Sequence, residues 1–589
     1  MSLRPKSATV TDLLSRLGDC TRFGARFVNP AAQDTLYPYQ EILARAQSAA
    51  AALQDAGLRK GDRVAVVLPT SVQFFDTFLG TQLAGGIPAA LYPPFRLGKL
   101  DEYFARLRKM LTKIGARFLI TESRIRRLLG PGVEGVPSLE KVIDANDLKS
   151  MSAWRPVEMD PEQPAFLQFS SGTTVDPKAV IVSHVNLMHN LAMMESALAP
   201  HEQQSEAENG AVCWLPLYHD MGLVGCLYLG LYYPATVTYL GPEMFIARPS
   251  LWLQTISRYR AAISPAPHFA YGFCLQKVRD RDMEGVDLSC WRVALNGAEP
   301  IDIETMERFS ERFARWGFRP EAMTPVYGLA EAGLAVSFSE LLERPVVTEF
   351  DRDTLAAEAR AQRGTGRKLP SVGRAMPGLH IDIQDEHGAS LPPGAAGHIM
   401  IQGPSVTRGY YADPEMTANT IRNGWLDTGD IGFLFEDHLY IGGRAKDLII
   451  IRGRNYAPQE MEELLLDVEG VRAGCAIAVS TVVEGQGEEL IILAERDIRS
   501  ERPEEEITAE IRNRILNGLS LTPYHIEMLE PGTLPRTSSG KLRRNDALRL
   551  FLGGELAPPE KVTALKLLKD LGKSQMAWAR FSWQRRTQE

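Results

Sequence analysis

The sequence predicts an α/β protein of several lobes that ends in a small α+β unit. Three observations carry that expectation. A chain of 589 residues exceeds one hydrophobic core, and about 150 residues per domain gives about four lobes. Helix-period segments alternate with short apolar runs through the first half, the pattern of parallel strands covered by helices. The period then shifts to two between Leu379 and Tyr440, and the texture changes again beyond Asp447.

In chain order, a helical pattern over residues 39–53 precedes a strand-like run at 64–68. Further strand-like runs fall at 165–169, 179–182, 261–264 and 293–295, each ending in Gly, Ser, Asn or Pro, where an open α/β sheet places ligands. The alternation in His380-Ile381-Asp382-Ile383 and His398-Ile399-Met400-Ile401 predicts a small antiparallel, barrel-like lobe. Strand-like 448–451, a helix opened by Pro458 and running to 468, strands at 475–479 and 490–494, and a helix near 504–519 make up the compact α+β unit. The boundary is placed at Arg444 to Asp447, giving domains 1–443 and 448–552 joined by 444–447. Residues 553–589 form a basic tail, with a Lys- and Arg-bearing helical pattern from Lys561 that is expected to be a solvated terminal helix rather than one docked on a membrane or a partner.

Composition excludes several classes. With 44% hydrophobic and 23% charged residues the chain is globular, and its formal charge of -8 disfavours nucleic acid as a partner. Cys20, Cys213, Cys226, Cys274, Cys290 and Cys475 include no CxxC pair, so free thiols in a reducing cytoplasm are expected rather than a zinc ribbon or disulfide framework. The first twenty residues lack an apolar core, against a secretory signal. The longest apolar stretch is broken by Gly222, Gly225, Gly230 and Pro234 and falls short of the ~20 residues of a membrane span, so no transmembrane segment is expected.

The sharpest local signal is Ser170-Ser171-Gly172-Thr173-Thr174, followed by Lys178, a hydroxyl-rich loop between two strand-like runs. Hydroxyls, a glycine and backbone N–H groups make an anion nest, and Lys178 adds a point charge for phosphate. Alone, the loop is also readable as a Ser/Thr turn. GxxxxGK[ST] does not occur, so a bound nucleotide would be held without the P-loop fingerprint.

Further motifs follow in order: Tyr218-His219-Asp220-Met221-Gly222, Asn296-Gly297-Ala298-Glu299-Pro300, Tyr327-Gly328-Leu329-Ala330-Glu331, Asp427-Thr428-Gly429-Asp430, Gly443-Arg444-Ala445-Lys446-Asp447 and Arg536-Thr537-Ser538-Ser539-Gly540-Lys541. Together they resemble the adenylate-forming superfamily from about Tyr39 to Arg544, and most closely its fatty acyl-AMP ligase branch. The resemblance implies a large N-terminal domain of two α/β subdomains plus a small β-barrel lobe, then a small mobile α+β domain. It implies condensation of a fatty acid with ATP and Mg²⁺, release of pyrophosphate, and transfer of the acyl group to a phosphopantetheine arm on a holo acyl carrier protein.

Carried over residue by residue, Ser170 to Thr174 and Lys178 hold phosphates and Glu331 holds Mg²⁺. Tyr327 and Gly328 meet adenine beside Gly297, Ala298 and Glu299, and Asp430 and Arg444 bind ribose. Lys541 serves adenylation and Lys446 is the hinge. His219 is catalytic by type, with a positioning role favoured over that of a base, because the acid arrives ionised. Asp220, Met221, Gly222, His268, Phe269 and Tyr271 are expected at the acyl site. Val175, Asp176 and Ala179 depart from the family pattern in the phosphate loop. The polar stretch 337–371 resembles the insertion that marks acyl-AMP ligases and disfavours CoA. The rival readings are an acyl-CoA ligase and a catalytically silent nucleotide- or acyl-binding module, against which Glu331, Asp430, Arg444 and Lys541 argue.

Overall fold

The computed structural model describes residues 3–94, 97–169, 177–198, 210–451, 454–483, 487–537, 540–559 and 563–586. Two large sheets form the α/β part of the large domain. One sets Lys141–Asp144, Phe118–Thr121, Arg63–Val67, Ile87–Ala90, Pro164–Phe169 and Ala179–Ser183 side by side, parallel except for the last pair. The other has nine strands, with a parallel centre formed by Met323–Gly328, Val293–Gly297, Ile263–Pro267, Ala211–Cys213, Val237–Tyr239 and Gly24–Val28. Strands covered on both faces read as unbroken apolar runs, as in Val64 to Val67, all fully buried.

Helices Tyr39–Asp55 and Val72–Leu83 pack closely on each other because both carry small residues at the contact. A Cβ on Gly80 would lie 2.8 Å from the Ala49 Cβ. The period-two segment is the expected small antiparallel lobe, built from His380–Gln384, Gly397–Gln402, Trp425–Phe435, Ile421–Arg422 and His438–Arg444.

A 3-10 turn at Ala445–Asp447 leads into the C-terminal unit. Its sheet orders Val471–Val483, Gly487–Arg496 and His525–Leu529, against which Glu504–Leu519 buries Ile507, Ile511, Ile515 and Leu519 at intervals of one helical turn. The helix opened by Pro458 stops at Glu463 instead of reaching 468. The Leu464 and Asp467 carbonyls accept from the Arg514 guanidinium at 3.3 and 3.4 Å, which satisfies them without a further helical turn.

Residues 337–371 and the tail both carry packing. Residues 337–371 contain a hairpin of Val347–Asp351 and Gly366–Pro370 with the helix Arg352–Glu358 on its strand end. Phe350 is fully buried edge-on to Phe433, Phe435 and Tyr440, at centroid distances of 5.1, 5.3 and 5.2 Å. The same segment reaches the C-terminal unit: Arg367 pairs with Glu460 at 2.9 Å, Arg454 with Asp353 at 2.8 Å, and Arg352 donates to the Gly518 carbonyl at 2.5 Å.

The tail helix Ala564–Arg586 is likewise not wholly solvated, a correction to the sequence reading, because it packs on Ser123–Val133 of the large domain. A Cβ on Gly130 would fall 2.3 Å from the Ser574 carbonyl oxygen, so glycine makes the approach possible. The Gly130 N–H donates to Ser574 Oγ at 3.0 Å, Trp578 Nε1 donates to the Arg126 carbonyl at 3.0 Å, and Phe581 joins the core of Leu129 and Val133. Among the described residues no helix is long and apolar enough to cross a membrane.

Candidate active site

The carboxyl ends of the large-domain strands, the small lobe and the C-terminal unit enclose one cavity of about 2880 Å³. Strand ends place most of the predicted residues around it, as open α/β sheets do. Ser170, Ser171, Gly172, Thr173 and Thr174, expected to hold phosphates, lie outside the described residues. Lys178, just beyond, is partly buried with its ammonium 5.6 Å from the Tyr410 ring centroid. Burial pushes its pKa down, and Glu331 pulls it back up.

Glu331 sits on the 3-10 turn Ala330–Ala332, and its carbonyl accepts from Thr407 N–H at 2.7 Å. Its carboxylate accepts from the Tyr410 hydroxyl at 3.0 Å, while burial raises its pKa. Tyr410 was absent from the sequence reading. It follows Gly409, whose φ of +145° marks a special turn, and that glycine was the available signal.

Across the cavity, the antiparallel register sets Asp430 directly opposite Arg444. The guanidinium Nε lies 2.9 Å from one Asp430 oxygen, and the Tyr327 hydroxyl donates to the other at 2.6 Å. Burial lifts the Asp430 carboxyl above its ordinary range against the pull of Arg444. Arg444 and Lys446 stay exposed at the junction with the C-terminal unit.

Ala298, with φ of +67°, turns the chain at the end of Val293–Gly297 and aims Glu299 at the cavity. The Glu299 carboxylate accepts from Phe269 N–H at 2.5 Å, and burial raises its pKa although Lys541 opposes the shift. Gly297 serves packing instead of lining the cavity, since a Cβ there would meet the Val326 carbonyl oxygen at 2.7 Å. Gly328 does line it, with a Cβ excluded by the Leu334 carbonyl.

Lys541 comes from the C-terminal unit on a tight turn, in which Thr537 N–H donates to the Lys541 carbonyl at 2.8 Å and Lys541 N–H to Thr537 Oγ1 at 3.0 Å. Burial lowers the ammonium pKa, and Glu299, Asp220 and Asp430 counteract it. One cation from the small unit therefore lies within electrostatic reach of carboxylates from three separate segments of the large domain. Burial also works against the Asp220 carboxylate, yet His219 Nδ1 at 2.6 Å and Lys541 hold it below the usual range. Asp220 further accepts from Met221 N–H at 2.7 Å.

His268 and Phe269 line the cavity. Burial pushes the His268 imidazole down to about 4, and its Nε2 accepts from Asp302 N–H at 3.1 Å, which makes it a neutral positioning group. Tyr271 is a correction. The helix Phe269–Lys277 turns it away from the cavity, into a core with Trp252 and Phe309, and its hydroxyl donates to the Leu295 carbonyl at 3.2 Å. Gly222 is another, because a Cβ there would meet the Pro216 carbonyl at 2.4 Å and the residue does not line the cavity. The apolar wall instead runs through Met221, Gly225 and Leu229, opposite Met194, Leu334 and Phe338. Leu223–Tyr228 within that wall is a π-helix, a rare element common at functional sites.

A sheet-edge cavity with an aromatic–carboxylate–guanidinium wall, closed by a lysine from a second unit, belongs to enzymes that form adenylates. Residues 24–411 match the AMP-binding enzyme family, and the chain belongs to that family as an adenylate-forming ligase. Two relatives span most of it. It is 31% identical over 584 residues to medium-chain-fatty-acid–[acyl-carrier-protein] ligase JamA of Moorena producens, covering 94% of this chain and 96% of JamA. It is 32% identical over 534 residues to long-chain-fatty-acid–AMP ligase FadD26 of Mycobacterium marinum, covering 86% and 90%. A solved structure from work on fatty acyl-adenylate ligases of E. coli and L. pneumophila superposes with a TM-score of 0.87 at 34% identity, covering 93% of this chain and 98% of that one.

Proposed function

We propose that the protein activates a medium- to long-chain fatty acid with ATP and Mg²⁺ to acyl-AMP and pyrophosphate, and then passes the acyl group to the phosphopantetheine thiol of a holo acyl carrier protein. The observation that carries this reading is the Lys541 ammonium within electrostatic reach of Glu299, Asp220 and Asp430, in a cavity whose lining includes the apolar Met194, Met221, Leu229, Leu334 and Phe338. The names of JamA and FadD26 support the same substrate class.

In the first step a carboxylate oxygen of the acid forms a bond to the α-phosphorus, and the bond to the β-phosphate oxygen breaks to release pyrophosphate. Two anions meet, and Lys541 offsets the growing charge on the phosphoryl oxygens. Asp430 and Arg444 hold the ribose hydroxyls, Tyr327 meets adenine, and Lys178 steadies the departing phosphates. His219 stays a positioning group, fixing Asp220. A donor set of one carboxylate fits Mg²⁺ shared with phosphate oxygens, and no group of three or more His, Cys, Asp or Glu among the described residues competes as a metal cage. Glu331 would hold the ion, which neutralises phosphate charge when bound.

In the second step the thiol sulfur bonds to the acyl carbon, AMP leaves, and the thiol proton is lost to solvent. This step calls for the C-terminal unit, 448–552, to rotate about 444–447 so that Lys541 withdraws, with Lys446 at the pivot. The insertion at 337–371, which pairs with the C-terminal unit through Arg367–Glu460 and Arg454–Asp353, resembles the one that marks acyl-AMP ligases and so supports a carrier-protein acceptor over CoA. The test is incubation with fatty acid, ATP and Mg²⁺, followed by CoA or holo carrier protein with thioester measured for each. Thioester on the carrier protein alone is expected. Equal thioester on CoA would defeat the acceptor assignment, and no acid-dependent pyrophosphate release would defeat the activity.

A further inference from the structure

Docking on Ser123–Val133 accounts for the inner face of the tail helix, while its outer face stays largely exposed. At 100° per residue, Leu568, Gly572, Met576, Ala579 and Trp583 share one stripe about 80° wide and about 22 Å long. Leu568, Met576 and Trp583 are 67%, 56% and 68% exposed, in a chain whose other large side chains are mostly covered. Lys569, Lys573 and Arg580 run along one flank, all exposed. Arg580 lies 2.9 Å from Glu134, and Lys573 is 3.8 Å from both Asp101 and Asp570. Residues 561–589 hold seven Lys or Arg against two acidic residues, although the chain as a whole carries -8.

We propose that this ridge seats the protein on an anionic lipid surface, with the tail helix lying in the plane of the interface. A helix with an apolar stripe, a tryptophan and a basic flank, too polar to span a bilayer, is the form that lies on one. The net charge of the tail is opposite in sign to that of the rest of the chain, which favours attraction to anionic headgroups on this face. The Ser574 and Trp578 contacts hold the middle of the helix from behind, and a deformable lipid surface fits the exposed stripe without a complementary groove. None of the five stripe residues lines the cavity, so the seat is separate from the catalytic machinery. Resting on the fatty-acid reading, the seat also places the cavity beside the bilayer in which such amphiphiles partition.

The experiment is co-sedimentation of the full chain with phosphatidylcholine vesicles, with or without phosphatidylglycerol, at low and high salt. Binding is expected on the anionic vesicles, ~10-fold or more weaker on neutral ones and at high salt. Leu568→Ser, Met576→Ser and Trp583→Ser together are expected to cut binding by ~10-fold or more, since each removes apolar area from the interface. Lys569→Glu with Lys573→Glu should do the same while leaving the apolar stripe intact. Acid-dependent pyrophosphate release from a water-soluble short acid should not change in either variant, which separates failure of the seat from failure of the activity. Wild-type protein that ignores every vesicle, or variants that bind as well as wild type, would overturn the proposal. Loss of transfer to the carrier protein in the Ser variant, with no vesicle binding by wild type, would reassign the ridge to a protein partner and equally overturn it.

Discussion

Replacing Lys541 by Ala removes a cation within electrostatic reach of Glu299, Asp220 and Asp430, and it should stop adenylation while sparing acyl transfer. Two routes give the size of the loss. A unit charge about 4 Å from a phosphoryl oxygen, at an effective dielectric of about 20, is worth about 4 kcal/mol. Removal of one preorganised donor to a developing oxyanion costs about 3–4 kcal/mol in comparable sites. Both correspond to ~10²- to 10³-fold in rate at 1.36 kcal/mol per decade. The assay is acid-dependent pyrophosphate release, run beside thioester formation from supplied acyl-AMP and holo carrier protein. The first should fall by that factor and the second should change little, because the lysine has withdrawn by then. A pH arm sharpens the test. Burial lowers the Lys541 pKa, so the charged form is lost, and adenylation falls, as pH rises through a value below the ~10.4 of a free lysine. Lys541→Arg should remove that alkaline limb, since a guanidinium stays charged. Near wild-type acyl-AMP synthesis by Lys541→Ala would refute the reasoning.

Tyr410→Phe removes the hydroxyl that fixes Glu331, and it should raise the Mg²⁺ concentration needed for half-maximal activity by ~10-fold while the thermal midpoint holds; Mn²⁺ binding followed by electron paramagnetic resonance in the presence of ATP checks it without turnover. Phe350→Ala empties a fully buried position among three aromatic rings, at a cost of about 3–5 kcal/mol measured by urea unfolding. The same substitution loosens the insertion and should raise CoA thioester relative to wild type. His184 is buried with its pKa pushed down to about 4, so the unfolded chain binds a proton that the folded chain does not as pH falls below 6.5. Stability should therefore decline from about pH 6.5 towards pH 4 and level off above 6.5, and His184→Gln should flatten that slope in urea melts.

Local chemistry made much of this molecule legible in its sequence. The strand ends, the period-two lobe and the Glu504–Leu519 helix follow from patterning, and motif order brought Tyr327, Asp430, Arg444 and Lys541 together before any coordinates. What escaped depends on phase or on distant partners. Tyr271 sits in the right helix on the wrong face, because the turn that exposes His268, Phe269 and Gly272 points it into the core. Gly222 looks like part of a binding phrase, and only the position of the Pro216 carbonyl reveals why it is glycine. Tyr410 meets Glu331 from 79 residues away, and nothing in either neighbourhood encodes the pairing. The tail reads as solvated because its partner is a glycine at position 130, which in sequence is merely a weak point in a helix.

That docking has a topological consequence. The chain leaves the C-terminal unit near Leu552 and returns to the large domain through Ser574 and Trp578, so the unit is a closed excursion with both stems anchored. When it unfolds, roughly a hundred residues are confined between two fixed points, and a loop of that length forfeits about 4 kcal/mol of chain entropy. A noncovalent staple at the far end of the polypeptide therefore lends its grip to a domain that it scarcely touches.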